Sequence, residues 1–206
     1  MPEAGEAHPS FLTIQTRTGW GRALEAFAGW CAPRPGELAL DAGCGPGLLP
    51  ALLQARGAIA FGLDLDPQAL ASPLHPGLVL GDALRLPFPG GLFHLLAASN
   101  LLFLLPDPQP ALQELRRVLR PGGRLCLLNP SERLSQEAAE TLARERGLQG
   151  AARQSLLGWA RRAEANRRWS EAETAALLAS AGLRLAESAL RVGPGLARFS
   201  RAEPVD

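Results

Sequence analysis

Short apolar runs alternate with longer amphipathic segments along most of the chain. Their nearly continuous hydrophobic character is typical of strands that are buried on both faces of a parallel sheet. In chain order the runs are ELALDAG, AIAFGLD, PGLVLGDA, LFHLLAAS and GRLCLLN, followed by LRLAESAL and LARFSRAEP. The alternation predicts an α/β protein with a doubly wound sheet and right-handed crossovers. The last two runs are joined by RVGPG, which predicts a C-terminal antiparallel hairpin.

Helix boundary signals fall between the strand-like runs. Asp66-Pro67 combines an N-cap with a first-turn proline, which predicts a short helix after the second strand. Asp107-Pro108 predicts a later helix that ends at Pro121–Gly123. Ser170 and Glu173 have the spacing of a capping box at the start of the last helix.

Two segments stand outside this alternation within a predicted single domain, residues 1–206. Residues 8–31 predict an N-terminal helical segment with one apolar face, which we interpret as core packing. That face consists of Trp20, Leu24, Phe27 and Ala28. Residues 131–168 predict two helices that are broken near residues 147–150 and inserted after the fifth strand. An insertion at the carboxyl end of the strands is where a substrate lid is expected.

Composition narrows the possible chemistry. The 21 basic residues nearly balance the 20 acidic residues, so there is no electrostatic footprint for non-specific nucleic-acid binding. Lysine and tyrosine are both absent, which excludes a lysine Schiff base, a lysine base and a tyrosine acid. The three cysteines are Cys31, Cys44 and Cys126. Their wide spacing favours a reduced protein, with neither a disulfide scaffold nor a metal site.

The ends and the apolar stretches of the sequence predict a cytoplasmic location. The N-terminal MPEAGEAHPS has no basic start and no apolar core, so it is not a signal peptide. The longest apolar stretch, around LLAASNLLFLL, is too short to span a bilayer. We therefore expect no membrane association.

The stretch LALDAGCGPG, residues 38–47, leads from a strand-like run into a glycine-rich turn. A phosphate-binding Walker loop requires a lysine after the last glycine, so the absence of lysine excludes it. A dinucleotide fingerprint requires glycine or alanine where this chain has Leu48, and an apolar residue is usual where it has Asp41. The glycine pattern alone is weak evidence, because it arises by chance in glycine-rich chains.

Two further acids indicate what the turn holds. Asp64 ends the second strand 23 residues after Asp41, at about the place where an acid binds ribose hydroxyls. Asp82 ends the third strand. Because the carboxyl ends of parallel strands meet at one edge of a sheet, both acids are expected to face the same crevice as the glycine turn.

These residues resemble those of the class I S-adenosylmethionine-dependent methyltransferases of the type 11-like group, over most of the chain. The matching segments, in family order, are LALDAGCGPG, GLDLDPQAL, GDALRLPF, SNLLFLLPDP with ELRRVLRPGGRLCLLN, and WSEAETAALLASAGL. The resemblance implies a Rossmann-like α/β fold with a seven-stranded, mostly parallel sheet. It also implies S-adenosylmethionine as the cofactor and S-adenosylhomocysteine as its product.

The family resemblance implies a role for each matching residue. Asp41 would organise the turn and help to hold the amino-acid end of the cofactor. The backbone bed for the methionine part and ribose would be formed by Gly43, Cys44, Gly45 and Gly47. Asp64 would bind both ribose hydroxyls. At the adenine, Leu65 would pack on the ring, Asp82 would accept from the amine, and the backbone of Ala83 would lie at the ring edge. Ser99 and Asn100 would border the sulfonium and the acceptor. The segment TRTGWGRALE would fold over the cofactor.

The chain departs from the family pattern at the fourth strand. His94 replaces a usual aspartate, and we interpret it as a strand residue without catalytic duty. Phe103-Leu104 replaces a His-His pair that many relatives carry, so a histidine acid or base is missing there. No catalytic residue is assigned, because methyl transfer mainly requires alignment of the acceptor and needs a base only for weakly acidic nucleophiles.

Three functions remain open from the sequence. The first is methyl transfer to an unidentified small-molecule acceptor. The second is an RNA or protein methyltransferase that uses the insertion arginines, although a solvated helix face explains such arginines more simply. These arginines are Arg144, Arg146, Arg153, Arg161, Arg162, Arg167 and Arg168. The third is a non-catalytic module that binds S-adenosylmethionine. The insertion side chains Leu156, Leu157, Trp159, Ala160 and Ala163 either line an apolar pocket or dock the lid.

Overall fold

The computed structural model describes residues 10–205, so residues 8 and 9 of the predicted N-terminal segment lie outside the described residues. Seven strands form one sheet in the order β3-β2-β1-β4-β5-β7-β6. They are β1 Leu38–Ala42, β2 Ile59–Asp64, β3 Leu78–Leu80, β4 Phe93–Ser99, β5 Leu119–Pro130, β6 Leu183–Arg191 and β7 Ala197–Pro204. Six of these strands run in one direction, and β7, which lies between β5 and β6, runs in the opposite direction. The predicted Rossmann-like, mostly parallel sheet with a C-terminal antiparallel hairpin is confirmed.

Helices fill the connections and precede the sheet. They are α1 Phe11–Arg17, α2 Gly19–Trp30, α3 Leu48–Gln54, α4 Gln109–Val118, α5 Gln136–Glu145, α6 Gly150–Ala165 and α7 Glu171–Ala179, with a short 3-10 helix at Leu102–Leu104. The helices α5 and α6 lie on either side of the predicted break in the insertion. The capping box predicted at Ser170 and Glu173 is present at the start of α7.

The N-terminal segment consists of two helices that meet at Thr18. This residue has an extended backbone, with φ −120° and ψ 177°, so the helical path is interrupted there. Its hydroxyl accepts from the Trp20 backbone N–H at 3.1 Å, which caps α2. The side chains of Leu24, Phe27 and Ala28 are buried in the core as predicted.

The register and order of the strands show where a ligand-binding crevice is expected. Asp41 of β1 aligns with Gly62 of β2 on one side and with Ala97 of β4 on the other. From β1 the chain winds outward to β2 and β3, and then returns to β4 on the other side of β1. The strand order therefore reverses between β1 and β4, and ligands of doubly wound proteins bind at such a switch point, beyond the carboxyl ends of the strands.

Close packing around β2 leaves no room for a side chain at Gly62. A Cβ atom there would lie 2.7 Å from Cδ2 of Leu78 and 2.8 Å from Sγ of Cys44. The glycine therefore lets the start of the turn and the edge strand β3 both approach β2.

Arg124 of β5 and Arg201 of β7 anchor the end of α2 to the sheet. The Arg124 guanidinium donates to the carbonyl of Cys31 at 2.8 Å and to that of Ala32 at 2.6 Å. It also binds Glu37, with Nη2 donating to Oε2 at 2.6 Å, and these hydrogen bonds lower the pKa of the Glu37 carboxyl. Arg201 donates to the carbonyl of Trp30.

Two boundary predictions are wrong. Asp66 accepts from the Gln68 N–H at 2.9 Å, but residues 67–70 form a turn and not a helix. Pro73 and Pro76 lie so close behind that no full helical turn can form before two N–H donors are missing. Pro121–Gly123 does not end a helix either, because α4 ends at Val118 and β5 begins at Leu119.

Among residues 10–205, none of the helices is both long and apolar enough to cross a membrane.

Candidate functional site

The glycine turn wraps around the carboxyl end of β2. Gly43, Gly45 and Gly47 have φ values of 74°, 55° and 89°, in the left-handed region that residues with a Cβ rarely adopt. The N–H groups of Gly43 and Cys44 both donate to the Leu63 carbonyl, at 2.8 and 3.1 Å. The turn is thereby fixed against the strand that carries Asp64.

Asp64 ties two backbone segments together with its carboxylate. Oδ2 accepts from the Gly45 N–H at 2.8 Å, and Oδ1 accepts from the Asp66 N–H at 3.0 Å. A carboxylate offers about four acceptor positions, so each oxygen can still accept one further hydrogen bond. The side chain is half-buried, so part of it remains accessible at the carboxyl end of β2.

Asp41 is a buried acid, only 1% exposed. Within the described residues its Oδ1 has no hydrogen-bond partner. Burial raises the pKa of its carboxyl well above the usual value, and the nearby charge of Asp64 raises it further. A carboxylate without a donor is costly in an apolar interior. Asp41 is therefore suited to meet a bound cation beside the glycine turn.

The predicted adenine-binding residues lie after β2 and β3. Leu65 follows β2 and is 66% exposed, so its side chain is accessible at this edge of the sheet. Asp82 follows β3, where its Oδ1 accepts from the Leu84 N–H at 2.8 Å and shapes the loop. The side chain of Ala83 is buried beneath it. The pairing of Asp64 with Leu80 places both loops at the same edge of the sheet.

Ser99 and Asn100 lie at the carboxyl end of β4. Asn100 has φ 58°, an uncommon backbone conformation for a residue other than glycine. Its N–H donates to the Leu128 carbonyl at 2.7 Å, and its Oδ1 accepts from Nε1 of Trp159 at 2.9 Å. Asn100 therefore joins the end of β4 to the insertion helix α6.

The insertion and the N-terminal segment meet above this edge. The rings of Trp20 and Trp159 have centroids 5.4 Å apart, and α1 packs against α6. Trp159, Ala160 and Ala163 belong to the buried core. These three side chains therefore dock α6 onto the protein, which favours the docking interpretation over a pocket lined by them.

Gln15 is a contact residue that sequence reasoning missed. Its Nε2 donates to the Cys44 carbonyl at 3.3 Å, and its Oε1 accepts from the Leu48 N–H at 3.2 Å. It lies one residue before the segment that was expected to fold over the cofactor. Nothing in a single glutamine on a short helix indicates a contact with a turn about 30 residues away, so no sequence signal was available.

Other candidate groups do not join the site. Burial raises the pKa of the Cys44 thiol well above its ordinary value, and Sγ donates to the Gly45 carbonyl, so Cys44 is a turn residue and not a nucleophile. His94 lies near the amino end of β4, where Nδ1 accepts from the Leu38 N–H at 3.2 Å. That is the edge of the sheet opposite the turn. Phe103, in place of a histidine, is buried.

Several insertion arginines make internal contacts. Arg153 pairs with Glu140, Arg167 donates to the Pro106 carbonyl at 2.7 Å, and Arg168 donates to the Leu134 carbonyl at 2.6 Å. These contacts hold the insertion together and tie it to the loop before α4. They reduce the number of arginines that can form a free basic surface.

Comparison with known proteins agrees with the class that the fold and the turn indicate. Residues 40–127, from β1 to β5, match the family described as "Methyltransferase domain". This match covers less than half of the chain, and over that stretch the chain is similar to S-adenosylmethionine-dependent methyltransferases.

Curated relatives match about half of the chain. Demethylmenaquinone methyltransferase of Corynebacterium kroppenstedtii is 37% identical over 97 residues, which cover 46% of this chain and 42% of that protein. 2-Phytyl-1,4-naphtoquinone methyltransferase of Synechococcus elongatus is 35% identical over 114 residues, 48% of each chain. The match thus spans less than half the length of these relatives.

A solved structure extends the likeness to nearly the whole fold. Magnesium protoporphyrin IX methyltransferase of Synechocystis, with bound S-adenosylhomocysteine, superposes with a TM-score of 0.62 at 21% identity. The superposition covers 96% of this chain and 89% of that chain. The N-terminal segment, the insertion and the hairpin therefore fall within the shared fold.

Proposed function

We propose that the chain binds S-adenosylmethionine beside the glycine turn and transfers its methyl group to a small-molecule acceptor. S-adenosylhomocysteine is then the product. The observation that carries this proposal is the placement of two carboxylates around the turn. Oδ1 of the buried Asp41 has no hydrogen-bond partner among the described residues, and Asp64 has acceptor capacity left. The cofactor has an ammonium group and two ribose hydroxyls, which are donors that such carboxylates bind.

In this proposal the other residues contact the cofactor in sequence along the sheet edge. Asp41 faces the amino-acid end and Asp64 accepts from the ribose hydroxyls. The backbone of the turn supports the methionine part and the ribose. The remaining contacts are Leu65 on the adenine ring, Asp82 and the backbone of Ala83 at its edge, and Ser99 and Asn100 between the sulfonium and the acceptor.

S-adenosylmethionine supplies an electrophilic methyl group and leaves as a neutral thioether. The task of the protein is to hold the acceptor atom in line with the methyl at about 3 Å, and such positioning contributes several kcal/mol. A base is required only when the acceptor is weakly acidic. The site residues include no histidine, and the Cys44 thiol is held protonated by burial. We therefore assign no catalytic base.

For the acceptor we infer a quinone-type aromatic molecule in its reduced form. Two relatives are named for menaquinone-type substrates, and the family match includes β1, β2 and β4 of this chain. Trp20 is half-buried and its ring lies beside Trp159, which donates to Asn100, so Trp20 offers a partly exposed aromatic ring that suits a flat acceptor. An RNA acceptor has less support, because three of the insertion arginines serve internal contacts.

Calorimetry with S-adenosylmethionine, S-adenosylhomocysteine and NAD in parallel tests the cofactor. Binding of both sulfur nucleosides without NAD binding is expected, and NAD binding alone would overturn the proposal. Labelled methyl transfer to a 1,4-naphthohydroquinone, to total RNA and to a metabolite extract then tests the acceptor. Transfer to RNA alone would replace the small-molecule acceptor. Cofactor binding without transfer to any of the three would identify a non-catalytic binding module.

A further inference from the structure

Gln15 binds two backbone groups of the glycine turn at once. One is an acceptor, the Cys44 carbonyl, and the other is a donor, the Leu48 N–H. The terminal amide of glutamine contains both a donor nitrogen and an acceptor oxygen, so a single side chain satisfies this pair. Contacts of 3.3 and 3.2 Å show that the amide bridges the Cys44 carbonyl and the Leu48 N–H.

The position of Gln15 overlaps the space directly above the turn. A Cβ atom built on Gly45 would lie 3.2 Å from Nε2 of Gln15, and this is its one contact within 4 Å outside the neighbouring residues. The surface that Gly45 leaves open is therefore covered by the Gln15 amide and not by the core. This is the surface assigned above to the methionine part of the cofactor.

An α-amino-carboxylate needs the same two kinds of partner. Its ammonium group donates to carbonyl oxygens and its carboxylate accepts from N–H groups, as the nitrogen and oxygen of the Gln15 amide do. A carbonyl and an N–H of the turn can serve either the glutamine or the amino-acid end of a ligand. The buried Asp41 carboxylate, orphaned within the described residues, adds a partner for an ammonium group, which a neutral amide does not satisfy.

We propose that Gln15 occupies the subsite of the amino-acid end of S-adenosylmethionine and is displaced when the cofactor binds. The inference rests on the proposed function. Gln15 is then a competitor that lowers the affinity for ligands that carry the methionine group, and it leaves unchanged the affinity for nucleosides that lack it.

The helix that carries Gln15 can move at small cost to the core. All residues of α1 are described, and none of them is buried. The helix is seven residues long and is separated from α2 by the extended Thr18. Short helices are marginally stable by themselves, and a shift of α1 disturbs its packing against α2 and α6 but moves no buried side chain.

Calorimetry on Gln15→Ala tests this competition with two kinds of nucleoside. S-adenosylmethionine and S-adenosylhomocysteine carry the amino-acid end, whereas 5′-methylthioadenosine lacks it. Because two neutral hydrogen bonds of the competitor are lost, we expect the variant to bind the first two about threefold to tenfold more tightly. Binding of 5′-methylthioadenosine should stay within a factor of about two, by the same conversion of free energy to affinity.

Thr13→Ala is the matched control, because it lies on the same helix outside the segment expected over the cofactor, and its hydroxyl accepts from the Ser10 hydroxyl at 3.1 Å. It should leave all three affinities unchanged, while melting curves verify that both variants are folded. Weaker binding of S-adenosylmethionine by Gln15→Ala would make Gln15 a ligand and overturn the competition. Equal changes for all three nucleosides, or none, would remove Gln15 from the subsite. Failure of every variant to bind S-adenosylmethionine, with intact folding, would instead refute the proposed function itself.

Discussion

Replacement of Asp64 by alanine removes the carboxylate that is expected to hold the ribose. The same change also removes the acceptor that fixes the Gly45 N–H at 2.8 Å and the Asp66 N–H at 3.0 Å. The variant therefore loses contacts to the cofactor and loosens the turn on which the cofactor rests. Both effects act in the same direction on binding.

The size of the effect depends on the hydrogen bonds that are lost. Hydrogen bonds to a charged acceptor contribute about 1.5–3 kcal/mol each, so the two ribose hydroxyls together account for about 3–6 kcal/mol. Asp64 is half-buried, so in the variant water replaces part of the lost hydrogen bonding to the ribose. We therefore use the lower end of the range, about 3 kcal/mol. Since about 1.4 kcal/mol corresponds to a factor of ten, we expect S-adenosylmethionine to bind about 100-fold more weakly.

Calorimetry measures this loss directly, with 5′-methylthioadenosine as a second ligand that retains the ribose. Both ligands should lose affinity to a similar degree, because the contact is to the sugar. Asp66→Ala is the matched control: it removes an exposed turn cap to the Gln68 N–H and leaves the Asp64 carboxylate in place. Its affinity should stay within about threefold of the wild type. A folded Asp64→Ala protein that binds S-adenosylmethionine within about threefold of the wild type would refute the assignment.

Three further changes test the energetics around the crevice. Asp41→Asn should raise Tm at pH 7 by at least about 2 °C, because burial raises the pKa of this acid and its ionisation opposes folding above about pH 4. Gly62→Ala should cost about 1–3 kcal/mol in chemical denaturation, since its Cβ would lie 2.7 Å from a neighbouring side chain. Glu37→Gln should cost about 3 kcal/mol at pH 7 by breaking the pair with Arg124, and this difference should shrink as pH falls from about 4.5 through the lowered pKa of native Glu37, as measured by denaturation across pH.

The contributions of Asp41 and Glu37 to the free energy of unfolding change with pH in opposite directions. This difference distinguishes them from a general loss of stability. The raised pKa of Asp41 makes wild-type stability fall as pH rises from about 4, so the asparagine variant gains most at higher pH. The lowered pKa of Glu37 makes its contribution present above about pH 4 and lost as pH falls through the native pKa. Parallel pH profiles of wild type and variant would contradict either assignment.

Gly29→Ala controls for Gly62→Ala: no atom lies within 4 Å of its added Cβ, so unchanged or increased stability is expected.

The central strands were predictable from sequence because their residues are buried on both faces. The runs that contain Leu40, Leu96 and Leu127 are almost uninterrupted apolar stretches, and each is a central strand of the sheet. Glycine and proline between them restrict the connections to few conformations. The place of the glycine turn at the switch point is then fixed by the rules for doubly wound sheets.

Helix ends were less predictable where two signals compete. Asp66-Pro67 is a good helix start, yet Pro73 and Pro76 leave too few residues to offset helix nucleation. At the end of α4, Leu119 pairs with Phe93 of β4, so strand pairing begins before the proline and glycines. The first outcome depends on residues further along the chain, and the second depends on a strand that is adjacent only in space.

The contacts of Gln15 and Asn100 could not be predicted, because they join elements distant in sequence. The Gln15 amide meets backbone atoms of the turn, and backbone atoms leave no residue pattern. The hydrogen bond from Trp159 to Asn100 depends on how α6 lies over β4. Sequence motifs locate the residues of the turn, but they do not report which side chains are packed against it.

The two ends of the N-terminal segment are held with very different strength. At its C-terminal end, Arg124 and Arg201 donate hydrogen bonds to the carbonyls of Trp30, Cys31 and Ala32. These hydrogen bonds anchor the end of α2 to the sheet. Its first helix has no buried residue and touches the turn through one side-chain amide. We therefore expect α1 to move relative to α2 about the extended backbone of Thr18. In hydrogen exchange, the amides of α1 should exchange before those of α2.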